Sequence, residues 1–247
     1  MIPFLPAMVH ARTFRPSDLG STKLRFWIRP ESLMWTTSGG TTVAVATDPI
    51  GKVFDESGNG LDVTQPTSGK RPTRRTNGGI ALSGDQWLVG VALGAWAADY
   101  CVGVVCKSTS SSSYERITEV DYSVGHAITM LNDASGQSKA AVADSGAPYG
   151  LINTTSLGSS IRTLFDSRVG TTHAYSVDGG TAVTATVTGA ALNNGAFYLA
   201  ALPSAPGTPY SMVGDLHEVF VVASPTADDL ANLKAYLAAR VASGVYS

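Results

Sequence analysis

Charge is scarce in this chain. Of its 247 residues only 15% are Asp, Glu, Lys or Arg, and the net charge is −2. A nucleic-acid binder concentrates Lys and Arg on one surface, so this balance argues against nucleic acid as a partner. The one basic cluster, Lys70, Arg71, Arg74 and Arg75, is interrupted by proline and threonine. It reads as a solvated loop or as local salt bridges, with contact to nucleic acid or an acidic surface as the alternative. Cysteine is nearly absent too. Cys101 and Cys106 share one apolar run, and their odd spacing puts them on opposite faces of a strand. No bridge between them is expected, and two thiols match no metal spacing. Both read as buried fillers, which favours assembly in a reducing cytoplasm. No apolar run approaches membrane-spanning length. The stretch MIPFLPAMVHARTF has no basic start ahead of its apolar residues and is broken by Pro3 and Pro6, so it does not read as a signal peptide.

Catalytic motifs are missing as well. His10, His126, His173 and His217 are scattered singly, whereas zinc needs three or four converging ligands. Neither a Gly-x-Ser-x-Gly elbow nor a phosphate-binding loop occurs.

What the chain does have is a 44% apolar content and 26 glycines, enough for a large core and many tight turns. Strands are expected at Leu24–Arg29, Val43–Ala46, Ile50–Phe54, Ile80–Leu82, Gln86–Val89, Asp99–Lys107, Tyr114–Val120, Ala127–Leu131, Ser138–Ala143, Ile161–Asp166, Thr172–Val177, Thr181–Val187, Ala196–Ala201 and Val213–Val222. The clearest hairpin signal is Asp178-Gly179-Gly180. One helix is convincing. Thr226 is its N-cap with Asp229 at the third position, and Leu230, Leu233, Tyr236, Leu237 and Val241 form one face before Gly244. Short strands at this spacing imply an antiparallel sandwich or barrel. Residues 1–20 read as a proline-broken apolar arm, which either packs on its own domain or docks on a partner chain. Residues 21–247 read as one domain.

The chain is organised around FDESGNGLDVTQPTSGKRP, Phe54–Pro72, where Gly58 and Gly60 can take positive φ in a turn. Asn77-Gly-Gly79, Ile80–Asp85, Tyr175–Gly179 and GDLHEVF at 214–220 follow, then Ser224–Leu237. In this order the motifs resemble the concanavalin A-like lectin/glucanase jelly roll, in the laminin-G/pentraxin-like versions found in virion proteins of tailed bacteriophages. The resemblance covers roughly residues 20–243. It implies an all-β, antiparallel two-sheet jelly-roll sandwich with one C-terminal α-helix. It further implies a structural virion protein: a head decoration, head fibre or tail-associated protein assembled in the bacterial host cytoplasm. Its expected partners are capsid or tail proteins, further copies of itself and host surface glycans. The alternatives are a carbohydrate-binding module or tail adhesin and, third, a glycosidase.

The glucanases of that superfamily carry Glu-x-Asp-x-x-Glu on one strand, and here Glu119 and Asp121 are followed by Val124. The missing carboxylate removes the proton donor that retaining chemistry needs, so no enzymatic activity is expected. Glu119 and Asp121 then read as solvated carboxylates at a strand end. Lectin-like relatives often hold calcium, and Asp55, Asn59 and Asp62 form an oxygen-rich candidate group, equally explained by turn formation. Trp35, Trp96, Tyr149 and Tyr210 lie in or beside Gly/Pro-rich loops and form the candidate glycan platform, whereas Trp27 and Trp87 read as core. Alternation along β-strand 213–222 places Leu216, Glu218 and Phe220 on one face, opposite His217, Val219 and Val221. A buried Glu218 is expected to be hydrogen-bonded by a loop backbone.

Overall fold

The computed structural model describes residues 13–94, 99–109, 115–120, 128–132, 137–144, 147–187, 195–201 and 211–247. A 3-10 turn at Pro16–Leu19 comes first. The strands are β1 (Leu24–Ile28), β2 (Met34–Trp35), β3 (Lys52–Val53), β4 (Val63–Thr64), β5 (Thr73–Arg74), β6 (Ile80–Ser83), β7 (Leu88–Ala92), β8 (Tyr100–Ser108) and β9 (Glu115–Val120). They continue as β10 (Ile128–Asn132), β11 (Gln137–Asp144), β12 (Ala147–Ser156), β13 (Arg162–Val169), β14 (Thr172–Val177), β15 (Val183–Thr186), β16 (Ala196–Leu199) and β17 (Val213–Ala223). Helix α1 (Ala227–Ala242) follows β17.

Two antiparallel sheets face each other. One runs β15-β14-β13-β8-β17-β6-β5, with β1 also paired to β17; the other runs β12-β11-β10-β9-β16-β7-β4-β3-β2. Phe26, Met34, Val53, Leu88, Val104, Leu164, Phe197 and Val219 fill the space between them. The Phe26 and Phe197 rings, 5.0 Å apart and edge to face, join the two layers. The described residues thus form an all-β sandwich with a single α-helix behind one sheet.

That helix explains the nearly continuous apolar character of β8. Tyr100, Val102, Val104 and Cys106 point between the sheets, while Cys101 and Val105 point at α1. A strand buried on both faces has no solvent side to mark with polar residues. The two cysteines are free and lie on opposite faces. Burial, aided by the charge of Asp178, pushes the Cys106 thiol up to about 12. Gly103 makes room for Phe220: a Cβ there would fall 2.1 Å from the ring's Cζ.

Helix α1 has the cap the residues announce. Thr226 Oγ1 accepts from the Asp229 amide, and the Asp229 carboxylate accepts from the Thr226 amide. Leu233, Tyr236 and Leu237 are buried against Leu24, Trp27, Phe165, Phe220 and Val222, with Leu230 and Val241 at the margin. Each fully buried side chain of this size contributes about 1.5–3 kcal/mol. Phe14 and Leu19 pack on the same cluster; residues 1–12 lie outside the described residues.

The structure departs from the sequence expectation at β17 and at Val43. A ladder irregularity between Leu216 and Glu218 inserts His217 as a bulge, which reverses the alternation. Leu216 therefore shares the inter-sheet core with Val219 and Val221, while Phe220 and Val222 face the helix. Val43 makes only an isolated bridge to Trp35, not a strand. Strand β12 carries no alternation or turn signal that identified it in the sequence.

Candidate functional site

The Phe54–Pro72 segment closes on its own carboxylates. Asp55 is fully buried. Its Oδ1 accepts from the Trp27 and Ser57 amides, both at 2.9 Å. Its Oδ2 accepts from Ser57 Oγ at 2.6 Å and the Leu61 amide at 3.0 Å. Asn59 Nδ2 donates to the Leu24 and Arg25 carbonyls, which ties the turn to β1. Asp62 Oδ1 accepts from the Asp55 amide, and Oδ2 pairs with Lys52 Nζ at 2.6 Å. Gly58 and Gly60 adopt φ of 87° and 69°. The three residues considered as calcium ligands are thus brought together as a hydrogen-bonded clasp. Among the described residues no group of three or more His, Cys, Asp or Glu is placed to hold a metal ion.

Through Asp62 the clasp fixes Lys52, and Lys52 leads onto the outer face of the nine-stranded sheet. Met34, Val53 and Val63 point into the core, so Trp35, Lys52 and Thr64 point outward. Cross-strand pairing carries this face onward: Trp35 beside Lys52, Lys52 beside Thr64, Thr64 beside Val89, Val89 beside Tyr198, and Tyr198 beside Glu119. At roughly 4.8 Å per strand the row is about 24 Å long. All but Glu119 are partly exposed. At one end the Trp35 indole has Lys52 Nζ 5.2 Å from its centroid and meets the half-exposed Phe54 edge to face at 6.2 Å. Gly40 lies against the indole, where a Cβ would stand 3.5 Å from Cδ2. Phe54, Leu33 and Val43 extend this end as exposed apolar surface. At the other end Glu119 is buried and paired with Arg116 Nε at 2.9 Å. It is therefore not the solvated carboxylate that its strand-end position implied; Asp121 and Val124 lie outside the described residues.

Of the aromatic candidates, Trp35 takes part in this face. Tyr149 has its backbone in β12 opposite Val142, but its side chain lies outside the described set, as do Trp96 and Tyr210. Trp87 is corrected. It is half-buried on the surface beside β7, with Lys70 Nζ 5.8 Å from its ring, not a core residue. Tyr198 was missed. Its signal is the alternation of Ala-Phe-Tyr-Leu, in which Phe197 and Leu199 are the core pair. The basic cluster is consumed locally. Lys70 pairs with Asp85, Arg71 donates to the Gln65 and Pro66 carbonyls, Arg74 donates to the Ala44 carbonyl, and Arg75 pairs with Asp215.

Buried polar clusters also lie away from this face. Glu218, fully buried behind the eight-stranded sheet, is held by side chains and not by the loop backbone expected for it. Its Oε1 accepts from Trp27 Nε1 at 2.8 Å and Tyr236 OH at 2.7 Å. Its Oε2 accepts from Tyr246 OH at 2.5 Å and Arg240 Nε at 3.3 Å, and Arg240 also grips Glu31 with both terminal nitrogens. Burial and the Glu218 charge push both phenols well above their ordinary range. Between the sheets, Asp166 accepts from His173 Nε2 at 2.5 Å and from Tyr100 OH at 3.2 Å. All three are fully buried, out of reach of a substrate. His10 and His126 lie outside the described residues.

No protein-family model matches the chain, and no curated protein sequence does. Solved structures do. Domain 4 of AbnA, a GH43 extracellular arabinanase from Geobacillus stearothermophilus solved in complex with arabinotriose, superposes with a TM-score of 0.60 at 13% identity, covering 86% of this chain and 98% of that one. The binding domain of botulinum neurotoxin serotype D gives 0.62 at 8% identity over 89% of this chain and 52% of its own length. An arabinofuranosidase complexed with arabinofuranosyl-α-1,2-xylobiose gives 0.60 at 13% identity over 92% and 65%. At such identities the likeness is one of fold, and the fold these chains share with this one is the two-sheet jelly-roll sandwich.

Proposed function

We propose that this chain is a glycan-binding module that uses the outer face of its nine-stranded sheet. The observation that carries the reading is the partly exposed row from Trp35 to Tyr198, with an aromatic ring at each end and Lys52 and Thr64 between them. A saccharide offers an apolar ring face and a rim of hydroxyls. Trp and Tyr match the first at little entropic cost and keep a polar handle, while a few fixed polar groups set orientation. Asp62 holds Lys52 in place for that role. The bound arabinotriose of the arabinanase domain, almost all of which this chain covers, supports a saccharide as the ligand class. Binding without hydrolysis is the reading preferred here, because the Glu-x-Asp-x-x-Glu pattern stops at Val124 and Glu119 is tied to Arg116.

A glycan array followed by calorimetry tests this. Saturable binding is expected, weakened about tenfold or more, or about 1.4 kcal/mol, in both Trp35→Ala and Tyr198→Ala. Absence of binding to any glycan, or binding indifferent to both substitutions, would defeat it.

The setting proposed for the module is the surface of a tailed-phage particle. The arm of residues 1–20, anchored to its own domain by Phe14 and Leu19, would face capsid or tail proteins or further copies, and assembly would occur in the host cytoplasm. The virion-type resemblance of residues 55–85 and 214–237 supports this, as do two buried, unpaired cysteines. Immunogold labelling of purified particles, with and without residues 1–16, tests it. Unlabelled particles would refute the setting, and unchanged incorporation of the shortened chain would refute the docking role of the arm.

A further inference from the structure

His217 occupies the bulge of β17. It is 4% exposed, and among the described residues neither ring nitrogen has a hydrogen-bond partner. A neutral imidazole carries one donor and one acceptor, and buried polar atoms without partners are rare enough to need a reason. Gly79 and Tyr246 both press on the ring. Gly79 is so near that a Cβ on it would fall 2.7 Å from Nδ1. Tyr246 covers the ring at 5.4 Å between centroids.

Tyr246 is held from three directions. Its carbonyl accepts from Asn77 Nδ2 at 2.8 Å, its hydroxyl donates to Glu218, and the same hydroxyl accepts from Arg240 Nε at 3.3 Å. The segment from Gly244 to Ser247 is therefore a clasp laid over His217 and fastened to α1, β17 and the turn before β6. Three charges act on the imidazole from the elements around it. Asp215 on β17 favours a proton on the ring, whereas Lys107 on β8 and Arg75 before β6 oppose one. Asp215 is already paired with Arg75 at 2.7 Å. Glu218, beyond the Tyr246 ring, is committed to its four donors. An imidazolium would find no free anion among these groups.

We propose that His217 makes the Gly244–Ser247 clasp acid-sensitive. Neutral, the ring is a flat surface under Tyr246. Protonated, it needs water on both nitrogens, and Tyr246 must swing away to admit it. Burial is the largest influence on the ring and lowers its affinity for protons below the ordinary histidine value. An opened clasp returns the ring to an ordinary pKa of about 6.5. The closed form is therefore fully favoured above about pH 6.5 and loses ground as pH falls below it.

Amide hydrogen exchange between pH 7.5 and 5, corrected for intrinsic rates, reads the clasp directly. Gly79 and residues 243–247 should lose protection at acid pH by up to about thirtyfold, the ceiling for one proton linked over the 1.5 units below 6.5. Amides of β8 and β13 should stay unchanged. The acid loss should vanish in His217→Phe and in His217→Gln, two neutral replacements of different polarity. Wild-type protection that is flat with pH refutes the proposal without any variant, and an equal acid loss in either variant refutes it as well.

Discussion

Replacing Glu218 by leucine should destabilise the protein by about 3–5 kcal/mol, the range for removing one side of a buried, hydrogen-bonded charge group. The structure supports the high end. Leucine offers no acceptor, so Trp27 Nε1, Tyr236 OH and Tyr246 OH lose theirs together, and each buried orphan costs about 1–3 kcal/mol. Arg240 keeps Glu31 and so softens the total. For a chain of this length 1 kcal/mol corresponds to roughly 2–4 °C in Tm, so a fall of about 6–20 °C is expected. Urea unfolding followed by circular dichroism measures the free energy, and a double-mutant cycle with Tyr246→Phe tests the cause. In the wild-type background Tyr246→Phe removes a donor from a buried carboxylate. In the Glu218→Leu background it removes a hydroxyl that already lacks its acceptor, so its cost should shrink or reverse. A loss below about 1 kcal/mol in Glu218→Leu, or strict additivity in the cycle, would refute the view that this network fastens α1 to the sheet.

The Asp55 clasp predicts that Asp55→Ala loses about 3 kcal/mol or more, since three backbone amides and one hydroxyl lose a charged acceptor. Because those donors occupy the carboxylate, millimolar calcium should leave the wild-type Tm unchanged; a calcium-dependent rise in differential scanning fluorimetry would contradict this. Gly103→Ala should cost about 1–3 kcal/mol by overpacking, because its methyl group would meet the Phe220 ring. Pairing Gly103→Ala with Phe220→Leu in urea melts should recover part of that loss.

Sequence reading succeeds here where local chemistry decides local structure. The capping box of Thr226 and Asp229, the apolar stripe of α1 and the Asp178-Gly179 turn, with φ of 51° and 68°, all appear where their residue types demand them. It fails where a distant partner decides. The bulge at His217 leaves no mark in GDLHEVF, because either parity of that strand reads as half apolar. The two-residue strands β2, β4 and β5 exist only through their neighbours in the sheet. The candidate site suffers most. Trp35 was legible as a ring beside a glycine-rich loop, but its row is assembled from five separate strands besides its own, and only the sheet order shows that Tyr198 and Lys52 share its face.

The position of β17 has a consequence for how the chain reaches its native state. This strand lies mid-sheet, pairs with β8 along one side, and shares its other side between β6 and β1. Leu24 thus waits for Val222 and Trp27 for Phe220. A ribosome delivering the chain from its first residue produces β1, β6 and β8 long before the strand that joins them. Until then their edges are open templates for pairing with other chains. Such non-local closure is slow, and exposure of unpaired strands during it invites aggregation. Yield on expression should therefore depend more on temperature and on chaperone supply than the stability of the finished sandwich would imply.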